Sequence, residues 1–347
     1  MDEQNNLLTV SSSPHIRTVE KTNVLMADVI IALIPAAVWG VYVFGLRALS
    51  IIVLSIGTCV LCEFFYNKLL HKKQTVGDLS AIVTGLLLAM NLPSSVPLYI
   101  PVLGAFFAIV VVKMLFGGIG KNIANPALAA RVFLFVSWSG AMTTYTRPFE
   151  RGMSIFGITA GNIADITAAA TPLKHMKNAE LPGIKIFDMF IGNMPGCIGE
   201  ISAALLLLGG IYLLVRKTIT WHIPVSYIGT VIVLTFLFPK NPSIHAYEFM
   251  LYELLSGGLF LAAIFMATDY TTSPVSAKGQ LIYGFGCGAI TVFIRYFGGY
   301  SEGASFAILI MNMLVWYIDM LTRPRIFGEK KGSWIKPRGN GGSTDEK

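Results

Sequence analysis

The stretch Asp165-Ile-Thr-Ala-Ala-Ala-Thr171-Pro172-Leu173 carries the most unusual chemistry in the chain. A carboxylate stands six residues ahead of a hydroxyl, small residues precede that hydroxyl, and a proline follows it. Small neighbours let a bulky group approach the Thr171 backbone closely. Pro172 biases the residue before it towards an extended conformation. The residues therefore describe a sterically open segment that presents a hydroxyl. They equally describe a short helix, ADITAAA, ended by Thr-Pro, and by themselves they leave both readings open.

Other groups are placed for chemistry less distinctively. Asn125-Pro126 follows a glycine-rich run, Gly117 to Gly120. Such a run frees backbone to approach a ligand ring or an ion, and it also reads as a turn before a helix. Asp28, Glu200, Asp269 and Asp319 border apolar runs, where acids are functional candidates or solvated caps. Lys113, Arg131 and Arg295 are expected to snorkel towards the interface. Trp39, Trp221 and Trp316 read as interfacial anchors or packing. Cys59 and Cys62 form a CxxC inside the apolar block LSIGTCVLCEFF, with only His71 nearby as a further ligand. That pattern reads as buried thiols rather than a metal site. The sequence contains no P-loop, dinucleotide fingerprint, HExxH or iron–sulfur cysteine set.

The elements that must position these groups are apolar. Of 347 residues, 54% are hydrophobic and 13% are charged, about half the charge of an ordinary soluble domain. The apolar residues come in blocks long enough to cross a bilayer, which takes about 20 residues. Ten spans are expected, near 24–46, 48–66, 79–92, 97–117, 126–140, 197–215, 221–239, 247–268, 279–297 and 302–322. The third and fifth are short and bounded by Pro, Gly or Asn, as helices broken within a membrane are.

Basic residues set the orientation. With the N-terminus in the cytoplasm, Arg17, Lys21, Lys68, Lys72, Lys73, Lys121, Arg216, Lys217, Lys278 and the tail from Arg323 fall inside. Short outer loops then hold only Arg47 and Lys240. The net charge of +7 thus reflects topology and a lipid-facing tail, not nucleic-acid binding. The first 22 residues are polar and lack the apolar core of a cleavable signal peptide.

The expected organisation is a cytoplasmic N-terminal segment (1–23), a five-helix half (24–140), an extracytoplasmic loop (141–196), a second five-helix half (197–322) and a basic cytoplasmic tail (323–347). The loop is too long for a plain connector. Its Phe156, Ile158, Phe187, Met189 and Phe190 argue for packing. TGLLLAM at 84–90 resembles GGLFLAA at 257–263, and FGG at 116–118 returns at 297–299. The match displaces helices three to five by an odd number of spans, onto helices eight to ten. The second copy is then inverted, as in transporter-like folds. The fold class expected is therefore an all-α polytopic membrane protein in two inverted repeats with short or broken helices.

Asp165, Ala170 and Thr171 resemble the covalent flavinylation motif of membrane redox pumps, Asp-x-x-Ser/Thr-Gly-Ala-Thr. Ala168 stands where that motif has Ser or Thr, and Ala169 where it has Gly. Further likeness runs in order along the chain: Ser13-Pro-His-Ile-Arg17, Gly117 to Ala127, Pro195 to Glu200, Trp221-His-Ile-Pro224, and Ala267 to Pro274. The set is similar to the RnfD family of Rnf complexes and, more distantly, to the NqrB component of the sodium-pumping NADH:quinone reductase.

The resemblance implies an inner-membrane component of a complex that couples electron transfer between ferredoxin and NAD to Na⁺ or H⁺ movement. It implies FMN joined by a phosphoester to Thr171 on the extracytoplasmic side, attached by a flavin transferase. It also allows a non-covalent flavin (riboflavin) among the helices, with Asn125 and Pro126 in its vicinity or that of an ion. The implied partners are the other Rnf subunits, RnfA, RnfB, RnfC, RnfE and the flavin-bearing RnfG. The Thr171 hydroxyl is then an anchor rather than a nucleophile in turnover, and a chain without its own NAD or ferredoxin site would not complete the reaction alone. The alternatives are a cofactor-free secondary transporter or channel with inverted repeats, and a purely structural membrane protein.

Overall fold

The computed structural model describes residues 21–149, 170–178, 181–240, 244–300 and 302–323. Asp165, Ala168, Ala169, the Ser13–Arg17 motif and the tail beyond Arg323 lie outside the described residues. Within them the regular structure is helical, apart from isolated bridge residues such as Pro93, paired with Cys197.

Four helices are long and apolar enough to cross a membrane: α1 (Thr22–Phe44), α2 (Leu46–Leu69), α13 (Ala277–Phe297) and α14 (Ala304–Thr322). A fifth unit is a broken pair, α11 (Ala246–Leu255) and α12 (Leu259–Met266), bent by 63°. The bend falls at Gly257, whose φ of +67° suits glycine. The remaining apolar helices are shorter: α3 (Ser80–Met90), α4 (Tyr99–Met114), α5 (Pro126–Ser137), α9 (Ala203–Val215) and α10 (His222–Leu237). Short helices α6 (Ser139–Met142), α7 (Pro172–Lys177) and α8 (Ile186–Ile191) lie between α5 and α9 in the chain. The chain is thus an all-helical, membrane-embedded protein. The segment expected to span from 197 is non-helical as far as Ser202, which caps α9 by accepting from the Leu205 N–H.

Local chemistry explains the boundaries. The Asn125 side chain accepts from the N–H groups of Ala127 and Leu128, and Pro126 occupies the first turn of α5, where its missing N–H costs nothing. Asn125 Nδ2 also donates to the Met266 carbonyl at 3.3 Å, so the cap of α5 holds the end of α12. On α13, a Cβ added at Gly288 would lie 2.7 Å from Thr230 Cβ, and one at Gly284 2.8 Å from Ser226 Cβ. This small-residue stripe lets α13 approach α10 closely, as membrane helices do where dispersion replaces the hydrophobic effect. Large apolar side chains such as Ile31, Val38, Val53 and Leu208 face outward instead.

The cations expected to snorkel are buried and paired. Lys113 Nζ lies 2.7 Å from Glu63 Oε2 and 2.6 Å from Ser80 Oγ. Arg295 binds Glu253 Oε2 at 2.9 Å and donates to the carbonyls of Glu253 and Ser256, at the break after α11. A broken helix in an apolar medium must have its freed carbonyls satisfied, and Arg295 does this. Asp28 is likewise structural: it joins α1 to the end of α9 through Tyr212 and Arg216. Asp319 accepts from the Val275 N–H at 3.1 Å.

Candidate functional site

Thr171 has φ −67° and ψ 152°, the extended conformation expected before Pro172. It caps α7, and its Oγ1 accepts a long hydrogen bond, 3.4 Å, from the Lys174 N–H. Leu173 and Met176 are buried and anchor that helix. Leu173 lies against the α11–α12 break, where a Cβ added at Gly257 would sit 3.2 Å from its Cδ2. Thr171 borders a cleft of about 240 Å³ shared with Met194, Pro195, Gly196, Glu200, Gly257 and Glu302. Ala170 precedes it, half-buried. Of the motif residues expected to act together, Ala170 and Thr171 are adjacent here, and Asp165 lies outside the described residues.

A charged network backs the cleft. Arg131 of α5 pairs with Glu302 just before α14. Its Nη1 also donates to Asn91 Oδ1 at 2.8 Å and Ser305 Oγ at 2.9 Å. The Tyr145 hydroxyl donates to Glu302 Oε1 at 3.0 Å. Cys197 Sγ and a carboxylate oxygen from each of Glu200 and Glu302 lie within 4.8 Å of one another. The Arg131 guanidinium, against Glu302 and 3.8 Å from Cys197 Sγ, already supplies the positive charge there. In this cluster Glu302 is paired with a cation.

Glu200 is the exception within it. Its Oε1 accepts from the Cys197 N–H at 3.1 Å, while its Oε2 is buried without a partner. Glu200 lies in the loop before α9, outside the spanning helices. Burial first, and Glu302 second, push its carboxyl up to about 7. Two backbone bonds tie this loop to the end of α3: Ile198 N–H to the Leu92 carbonyl and Gly199 N–H to the Met90 carbonyl.

A second, larger cavity opens elsewhere in the helical bundle. Asn125 and Pro126 both line it, together with Lys113, Ser80, Thr84 and Asn122. Val83, Leu87 and Phe265 form apolar wall, and Thr268 to Thr271 close one side. Asn122 Oδ1 is buried there without a partner. Asp269 turns inward on its own loop and accepts from the hydroxyls of Thr271 and Thr272, each at 3.2 Å. Sequence reasoning missed Lys113 and Arg131 as members of these sites. A charged residue inside an apolar helix was the available signal.

A helical membrane protein with a hydroxyl-bearing cleft, a broken helix and a second, mixed-walled cavity defines the class. Residues 9–328 match the family described as NQR2, RnfD, RnfE, and the chain belongs to that family. It is 46% identical to the D subunit of the Na(+)-translocating ferredoxin:NAD(+) oxidoreductase complex of Acetobacterium woodii, over 95% of this chain and 98% of that protein. It is 42% identical to the proton-translocating counterpart of Clostridium ljungdahlii, over 94% and 98%. It is also 38% identical to the D subunit of the ion-translocating oxidoreductase complex of Stutzerimonas stutzeri, over 88% and 91%.

Proposed function

We propose that this chain is the membrane relay component of an Rnf-type complex, carrying FMN as a phosphoester on Thr171. The complex would couple electron transfer between ferredoxin and NAD to Na⁺ or H⁺ movement. The observation that carries the reading is Thr171 itself. It is held extended by Pro172 at the edge of a cleft, and among the described residues its hydroxyl has one long contact, to Lys174 N–H. That contact uses the oxygen as an acceptor, so esterification need not break it. The cleft is narrow, which suits the linking end of the group rather than its ring system.

The residues fit a second, non-covalent flavin in the larger cavity. Its wall mixes polar and apolar side chains, and Asn122 Oδ1 there has no donor. Ser80, Thr84 and Asn122 would orient such a ligand, and Lys113 would place a positive charge beside it. A bound flavin supplies one- and two-electron transfer; this chain's own residues bind, orient and set the local charge.

The termini would be cytoplasmic, with Thr171 extracytoplasmic, and the two halves would be inverted repeats. Partners would be RnfA, RnfB, RnfC, RnfE and RnfG, with RnfG exchanging electrons with the Thr171 group and a flavin transferase installing it. The test is a denaturing gel of protein co-expressed with that transferase and viewed under ultraviolet light. A fluorescent band that disappears in Thr171→Ala supports the proposal. A dark wild-type band from transferase-competent cells overturns it.

A further inference from the structure

Glu200, Glu302 and Thr171 border one small cleft. Glu302 is committed: Arg131 pairs with it and the Tyr145 hydroxyl donates to it. Glu200 is only 4% exposed, its Oε2 has no partner, and a Cβ added at Gly258 would sit 2.6 Å from that oxygen. An unpaired buried carboxylate oxygen is costly unless it carries a proton or meets a donor. The groups around it among the described residues are Cys197 from its own loop, Arg131 from α5, Tyr145 after α6, and Glu302 before α14. Gly257 and Gly258, at the α11–α12 break, bring no charge. One guanidinium thus faces two carboxylates, and a further negative charge at Thr171 would fall on the one that lacks a counter-ion.

We propose that Glu200 is a proton-binding site whose occupancy follows the charge of the group on Thr171. This deepens the flavin reading above and rests on it. When the complex's own electron donor delivers one electron to the Thr171 group, one negative charge is added beside the cleft. The Glu200 carboxylate then takes one proton from the aqueous phase and becomes a neutral acid. When the electron passes on, the proton leaves. One electron and one proton enter together and depart together, and no bond other than the O–H forms or breaks.

The test uses the whole complex, with infrared difference spectra recorded between its oxidised and reduced states. Reduction should produce a protonated-carboxyl band that is lost in Glu200→Gln and shifted in Glu200→Asp. Above neutral pH, the midpoint potential of the Thr171 flavin should fall with pH by one proton per electron more steeply in wild type than in Glu200→Gln. That is a tenfold change in equilibrium constant per pH unit, about 59 mV for one electron. If Glu200→Gln does not assemble, the wild-type band and its shift in Glu200→Asp still decide. No carboxyl band on reduction, or one untouched by substitution at Glu200, overturns the proposal. The in-gel fluorescence of the same sample separates the two failures. A fluorescent protein band without the infrared signal refutes the proton site alone, whereas a dark one refutes the flavin on which it rests.

Discussion

Lys113 Nζ lies 2.7 Å from Glu63 Oε2, and their side chains are 3% and 0% exposed. This pair joins α4 to α2 at the wall of the larger cavity, with Ser80 accepting from the same ammonium. Neither partner is visible from the other in sequence, being 50 residues apart.

Removing one member leaves an uncompensated buried charge, which costs about 3–5 kcal/mol. Glu63→Leu alone should lower the apparent unfolding temperature of the detergent-solubilised protein sharply. Glu63→Leu with Lys113→Met, which removes both charges, should recover most of the loss. Heating followed by fluorescence-detected gel filtration reads this. A double variant no better than the single would show that the pair is not what holds α2 to α4.

The larger cavity should be separable from Thr171. Val83→Trp fills its wall with a ring, without touching the cleft at Thr171. Acid extraction of the purified complex should release at least several-fold less non-covalent flavin from this variant, while the fluorescent gel band persists. Unchanged release would place the non-covalent cofactor elsewhere.

The orientation argued from basic residues predicts opposite accessibilities. Phe187 on α8 is 69% exposed, on the side proposed to be extracytoplasmic. Lys72, after α2, is exposed on the proposed cytoplasmic side. In intact cells a membrane-impermeant maleimide should label Phe187→Cys and spare Lys72→Cys until the membrane is opened. The four native cysteines are buried or half-buried, which keeps the background low. The reverse labelling pattern would invert the topology.

Much of this architecture is legible in the sequence because its causes are local. Pro172 dictates the extended Thr171, and Asn125-Pro126 caps α5, whereas the span expected as one piece over 247–268 is broken at Gly257, whose backbone lies at positive φ. The apolar blocks announce the helices. What stays hidden depends on partners distant in the chain. In sequence, Arg131, Lys113 and Arg295 look like residues reaching for water. Only the fold brings Glu302, Glu63 and Glu253 to them. The expected span from 197 begins six residues ahead of α9, because loop 197–202 is apolar enough to resemble a span. It is kept out of the helix by its backbone bonds to Met90 and Leu92. The Thr171 cleft gathers α7, the loop before α9, the α11–α12 break and the start of α14, a convergence that no single-sequence pattern reveals.

The most direct measurement is intact-mass and peptide analysis of the chain matured with its flavin transferase. The account predicts an increment equal to one FMN less one water, confined to the peptide containing Thr171 and absent from Thr171→Ala. An unmodified Thr171 peptide from transferase-competent cells would contradict it.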